Sequence, residues 1–182
     1  MQSANEGGRN KRLESDLKEM SILARRCPAI KFRALENGKR PQRYEVSFYL
    51  RTIVGERNGK PIYREASDPT KVVIDISSYP FGRISATCLT MPQPYHPNWF
   101  ESGGWCQITG DSRVEDTLAA LVIRMAKTIQ FDVSVTNPDS AANLSAASWW
   151  RRNLGRTNYF PCDNTKIPEI FQLKSVITVH RH

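Results

Sequence analysis

The chain has no stretch of about 18 apolar residues, the length needed to cross a bilayer. Its first eleven positions, 1–11, are polar and carry no hydrophobic signal core. Neither membrane insertion nor secretion is expected, and the protein reads as cytoplasmic. Histidine is scarce, with only His96, His180 and His182, and the last two sit in a terminal His-Arg-His that reads as a solvated tail end. The four cysteines, Cys27, Cys88, Cys106 and Cys162, are widely spaced with no CxxC pair. That argues against a zinc site and against a disulfide framework, so no bound metal is expected. There are no internal repeats and no low-complexity stretch.

What the chain does have is length enough for one domain plus tails. At 182 residues a core can form without disulfides or metal. The formal net charge is +8, but the basic residues are spread through 9–26, 31–64 and 151–174 without an aromatic-interleaved repeat, so nucleic-acid binding is not expected. Docking of the first helix on an acidic protein surface through Lys11, Arg12 and Lys18 is one use for this charge. Solubility alone is the plainer one.

Residues 1–9 lack periodicity and are expected to be disordered. Over 10–26, Leu13, Leu17, Met20 and Ala24 recur at helical spacing among charged residues, which predicts an amphipathic helix ended by Pro28. Period-two patterns follow at Ile30-Phe32-Ala34, at Tyr44-Val46-Phe48-Leu50 and at Val72-Ile74-Ile76, with Asn37-Gly38 and Asn58-Gly59 as turns. A further strand is predicted over 85–90, giving a four-stranded antiparallel meander. Residues 91–109 hold three prolines and two glycines, which rules out a regular element and predicts an ordered functional loop. A helix is predicted over 117–130 with Asp116 as N-cap and Leu118, Leu121, Val122, Met125 and Ile129 as its stripe. Ile123 falls off that stripe and is expected to face solvent. Asn137-Pro138-Asp139-Ser140 is turn chemistry, a short helix runs over 143–152, and residues 173–179 suggest a strand.

The reactive residues concentrate in the proline-rich loop. Cys106 lies eight residues after Asn98 of His96-Pro97-Asn98, with Gly103 and Gly104 between. A thiol is a strong acyl-accepting nucleophile, and a nearby Asn amide can donate hydrogen bonds to an oxyanion. It can equally brace the loop through backbone groups. Cys27, Cys88 and Cys162 read as inert structural thiols.

Taken in order, Tyr79-Pro80-Phe81, His96-Pro97-Asn98, Gly104-Trp105-Cys106 and Asn137-Pro138-Asp139-Ser140-Ala141-Ala142-Asn143 resemble the ubiquitin-conjugating enzyme family over about residues 10–155. The resemblance implies an α+β ubiquitin-conjugating fold: N-terminal helix, four-stranded antiparallel meander, active-site loop and C-terminal helices, followed by an extension over 156–182. It implies that Cys106 carries a ubiquitin-like protein as a thioester received from an activating enzyme and passes it to an amine of a protein substrate. On the same footing Asn98 serves the site, and His96 and Pro97 hold the loop. Asp139 and Ser140 occupy the region where relatives help the incoming amine lose its proton, although Asp139 also reads as a solvated turn residue. Phe81 and Ile123 are expected to touch partners, Phe81 in a ligase-binding loop and Ile123 under the ubiquitin-like protein.

The chain has Gly82-Arg83-Ile84 where a Pro-Pro pair is usual, and it lacks the Trp-Ser-Pro segment after the cysteine. These departures resemble bacterial conjugating enzymes of anti-phage operons, whose neighbours include a deubiquitinating peptidase. The alternatives are the conjugating component of a cyclic-oligonucleotide defence system and an inactive interaction scaffold. If residues 156–182 dock on the activating enzyme, their deletion slows charging of Cys106 without unfolding the domain.

Overall fold

The computed structural model describes residues 2–78, 84–106, 117–155 and 159–169. Helix α1 spans Gln2–Arg26, so the helix begins well before residue 10 and the expectation of disorder over 1–9 is corrected for 2–9. Once a helix is nucleated on a packed face, each further turn costs little. The Arg9 guanidinium adds a tether, donating to Gln42 Oε1 and to the Ser77 carbonyl, each at 2.8 Å. The buried face is Leu13, Asp16, Met20, Leu23 and Cys27, rotated from the predicted stripe. Leu17 and Ala24 lie at its margin.

Strands β1 (Ile30–Ala34), β2 (Arg43–Phe48), β5 (Thr70–Asp75) and β6 (Ser85–Cys88) form the predicted antiparallel sheet in the order β1-β2-β5-β6. Its register places Tyr44 opposite Ile74, Val46 opposite Val72 and Ile74 opposite Ala86. Alternate side chains therefore share one face, and Tyr44, Val46, Phe48, Val72 and Ile74 are buried in a core with α1 and α2.

Between β2 and β5 the chain makes a second sheet that the periodicity did not predict. Strands β3 (Thr52–Arg57) and β4 (Lys60–Arg64) form a hairpin. Its tip, Asn58 and Gly59, has φ of 55° and 78°, the positive values that an Asn-Gly two-residue turn supplies. Pairing slips between Ile53 and Gly55, which breaks the alternation that would have marked β3.

Helix α2 (Leu118–Ile129) is capped by Thr117, whose side chain accepts from the Ala120 N–H. The cap is thus Thr117 and not Asp116, which lies outside the described residues. All of α2 is buried except Arg124 and Lys127, which are partly exposed. Ile123 is only 3% exposed and belongs to the main core, so its prediction as a solvent-facing contact is overturned. The helix is enclosed on more than one side, because Ile167 of the C-terminal segment packs on the same core as the sheet and α1.

That segment also closes a second cluster. Ile53, Phe131, Trp149, Trp150 and Cys162 are buried together, with Tyr63, Tyr95, Tyr159 and Phe160 against them. Here α3 (Leu144–Asn153), capped by the Asn143 side chain, meets the β3–β4 hairpin. The Cys162 N–H donates to the Gln130 carbonyl at 2.8 Å, and the Arg51 N–H donates to Asp163 Oδ2 at 2.7 Å. Residues 159–169 are therefore built into the domain and are not an appendage to it. The predicted strand over 173–179 lies outside the described residues.

Candidate active site

The segment bearing Cys106 is an ordered hairpin added to the edge of the main sheet. Phe100 N–H donates to Gly104 O and Gly103 N–H returns to Phe100 O, while Cys88 N–H donates to Gly103 O and Trp105 N–H to Ala86 O. Gly103 turns the chain at φ 88°, and a Cβ there would lie 3.4 Å from the Cys88 carbonyl. Glycine is the residue that fits both demands. The hairpin thus extends β6 and brings Cys106 out at its end.

Cys106 N–H donates to the Asn98 carbonyl at 2.8 Å, and Asn98 Nδ2 donates to the Cys106 carbonyl at 3.5 Å. The two bonds hold the Cys106 main chain beside the Asn98 amide. Among the four cysteines Cys106 alone is not buried. Burial pushes the thiols of Cys27 and Cys88 up from their ordinary range, and Cys162 is pushed up to about 12. None of those three is suited to nucleophilic chemistry, since the thiolate is the reactive form.

Asn98 is 4% exposed, and its buried Oδ1 has no hydrogen-bond partner among the described residues. A 3.5 Å bond is at the long limit for an amide donor. Asn98 therefore braces the loop weakly and keeps donor capacity that stronger bonds would have taken up.

His96 is wholly buried and its burial lowers its pKa to about 3. Its Nδ1 accepts the Asn98 N–H at 3.0 Å, which places the ring proton on Nε2. That proton points to Thr136 Oγ1 at 3.0 Å, and the Thr136 hydroxyl donates onward to the Asp132 carbonyl at 2.9 Å. The ring packs edge-on against Phe131 and Trp150. His96 is a neutral strut between the loop and the turn after α2, and at neutral pH it is not charged. Pro97 is buried and its carbonyl accepts from Ala142 N–H at 2.7 Å and Asn143 N–H at 3.2 Å.

Those bonds moor the Asn137-Pro138-Asp139-Ser140 turn beside His96-Pro97-Asn98. Asn137 caps a short 3-10 helix, η2 (Pro138–Ser140), with Asp139 and Ser140 exposed. Arg151 of α3 reaches back to the Pro138 carbonyl at 2.7 Å and to Asp139 Oδ1 at 2.9 Å. This exposed ion pair adds little stability, but it fixes the direction of the carboxylate.

Of the remaining predicted positions, Phe81 lies outside the described residues. Lys11 and Lys18 are exposed on α1. Arg12 is turned inward, its Nε 3.4 Å from Asp16 Oδ1. Asp16 itself was not foreseen. Its carboxylate is fully buried and accepts the Leu118 N–H at 3.1 Å, capping the first turn of α2 from another helix. Burial pushes the Asp16 carboxyl up, against the Leu118 bond and Arg12, which hold it down. Thr136 and Arg151 were also missed; a hydroxyl and a guanidinium outside any motif gave no signal.

No described helix is long and apolar enough to cross a membrane. Comparison of the sequence with protein-family models and with curated proteins finds no match. Among solved structures, the E2 domain of a Toxoplasma gondii ubiquitin conjugating enzyme is similar at 13% identity and a TM-score of 0.49, covering 78% of this chain and 88% of that one.

Proposed function

We propose that this chain is a ubiquitin-conjugating-type enzyme whose Cys106 carries a ubiquitin-like protein as a thioester. The observation that carries this reading is the pairing of Cys106, the one cysteine left partly exposed, with Asn98 through reciprocal main-chain and side-chain bonds. The thiolate attacks the thioester carbonyl on the activating enzyme, a new C–S bond forms, and the enzyme's own thiolate leaves. An amine of the protein substrate then attacks the Cys106 thioester, an amide forms, and the Cys106 thiolate is released after the amine has given up a proton.

Asn98 Nδ2, only loosely held by the Cys106 carbonyl, is the donor to the oxyanion in both steps. The neutral His96 ring cannot take the amine's proton at pH 7 without leaving its two bonds. Asp139 or Ser140 is the group assigned to that proton, with the carboxylate aimed by Arg151. No cofactor enters these steps, since the activating enzyme spends the ATP. Lys11 and Lys18 on α1 form the docking face for that enzyme. The biological setting suggested by the departures from the family pattern is bacterial anti-phage defence, with a deubiquitinating peptidase encoded nearby.

The test is incubation with the activating enzyme, the ubiquitin-like protein and ATP. A covalent adduct should form, be cleaved by reducing agent and be absent in Cys106→Ala, while Cys106→Ser should yield an adduct that resists thiols. Absence of any adduct on the unaltered chain would leave the inactive scaffold as the reading.

A further inference from the structure

A cleft of about 390 Å³ opens on the side of the molecule formed by the β3–β4 hairpin and the end of α3. It is lined by Asn58, Gly59, Lys60, Arg152, Asn153 and Tyr159. Its size lies within the range of small-molecule sites. Its chemistry is one-sided: two cations, two amides and an aromatic ring, with no carboxylate among the described lining residues.

A basic residue in the last turn of a helix is ordinarily explained by the helix dipole. Arg151 and Arg152 both satisfy that rule, yet they differ. Arg151 is engaged with Asp139 and Pro138, whereas Arg152 has no hydrogen-bond or ion-pair partner among the described residues. The Lys60 side chain comes from a different element, the start of β4, and has no such partner among the described residues either. The dipole of α3 gives no reason for Lys60. Glu56, on the same hairpin, is turned to the Gly59 N–H at 2.7 Å.

The walls are fixed to one another. Trp149 is wholly buried, and its Nε1–H donates to the Gly59 carbonyl at 3.1 Å, pinning the hairpin tip to α3. Tyr159 is half-buried and stacks on Trp149 with ring centroids 6.2 Å apart at 18°. The cations and the ring are thus held on a scaffold that a ligand need not first order.

We propose that this cleft binds a nucleoside phosphate. The phosphates lie between Lys60 Nζ and the Arg152 guanidinium, which supplies a planar pair of donors suited to phosphate oxygens. The exposed amide of Asn58 offers a donor and an acceptor, whereas Asn153 is buried with its Nδ2 bonded to the Trp149 carbonyl at 2.8 Å and serves as wall; the base lies against Tyr159, as bases do on aromatic rings. The proposal does not depend on the role given to Cys106.

Titration calorimetry on the full chain with ADP, AMP and pyrophosphate tests it. ADP should bind saturably with a Kd below about 1 mM, and Lys60→Gln or Arg152→Gln should each weaken it about tenfold. Lys39→Gln, an exposed cation elsewhere, should change nothing. Pyrophosphate should bind more weakly than ADP, since it has no ring for Tyr159. ADP should also shield Lys60 of the unaltered chain from an amine-reactive reagent, a readout that needs no variant. Absence of saturable binding, equal affinity in the Lys60 and Arg152 variants, or unchanged labelling of Lys60 overturns the site. Equal affinity for pyrophosphate and ADP overturns the nucleoside assignment.

Discussion

His96 makes a quantitative prediction about acid stability. Its folded-state pKa is depressed to about 3 by burial, against about 6.5 in an unfolded chain. Between those values the unfolded state binds a proton that the folded state refuses, so stability must fall as pH drops through that window and be fully present above about 6.5. At about pH 5 the unfolded imidazole is almost wholly charged and the folded one almost wholly neutral, so the linkage amounts to about 2 kcal/mol; at about pH 7 it is a few tenths. The comparison is between the unaltered chain and His96→Gln, which cannot titrate. Urea unfolding at both pH values gives four free energies. The Gln variant should be less stable throughout, because the two bonds of the ring are disturbed, but the unaltered chain should lose about 2 kcal/mol more than the variant on going from about pH 7 to about pH 5. Parallel pH dependences would refute the reasoning, since they would mean that the ring is already charged or solvated in the folded state.

Three other perturbations follow from the packing. Ile123→Ala should lower stability by about 2–4 kcal/mol in denaturant unfolding, as expected for a core residue and not for a surface contact. Removal of everything after Leu154 should destabilise the domain by about 3 kcal/mol or more, because Phe160 and Cys162 leave the second cluster; a truncated chain with an unchanged unfolding midpoint would contradict this. Asn98→Ala should cost about 1 kcal/mol of stability and slow transfer to an amine while leaving a thiol-sensitive adduct on Cys106, which single-turnover discharge would measure.

Much of this architecture was legible because strands and helices advertise their periods. Tyr44-Val46-Phe48 and Val72-Ile74 alternate as a one-sided sheet must, and the Cys106 loop announced itself by prolines and glycines that no regular element accepts. What stayed hidden had a physical cause in each case. Asp16 reads as part of a polar face, yet it sits in the apolar one because the first turn of α2 needs an acceptor there. Ile123 looks exposed on a single-stripe helix, but α2 is enclosed on more than one side. The β3–β4 hairpin lost its alternation to the slip between Ile53 and Gly55. Trp149 of the aromatic cluster is pinned to the Gly59 carbonyl, 90 positions away, and no local pattern carries that information.

The bond from the Arg51 N–H to Asp163 joins residues 112 positions apart, and this has a consequence for biosynthesis. The sheet and α1 can pair among themselves as they leave the ribosome, but the cover over Ile53, Phe131 and the two tryptophans is complete only when Tyr159, Phe160 and Cys162 arrive. A nascent chain that has not yet delivered those residues presents an apolar surface that is only partly sealed. During that interval the polypeptide is open to chaperones and to aggregation, and native closure must wait for long-range contacts that form slowly.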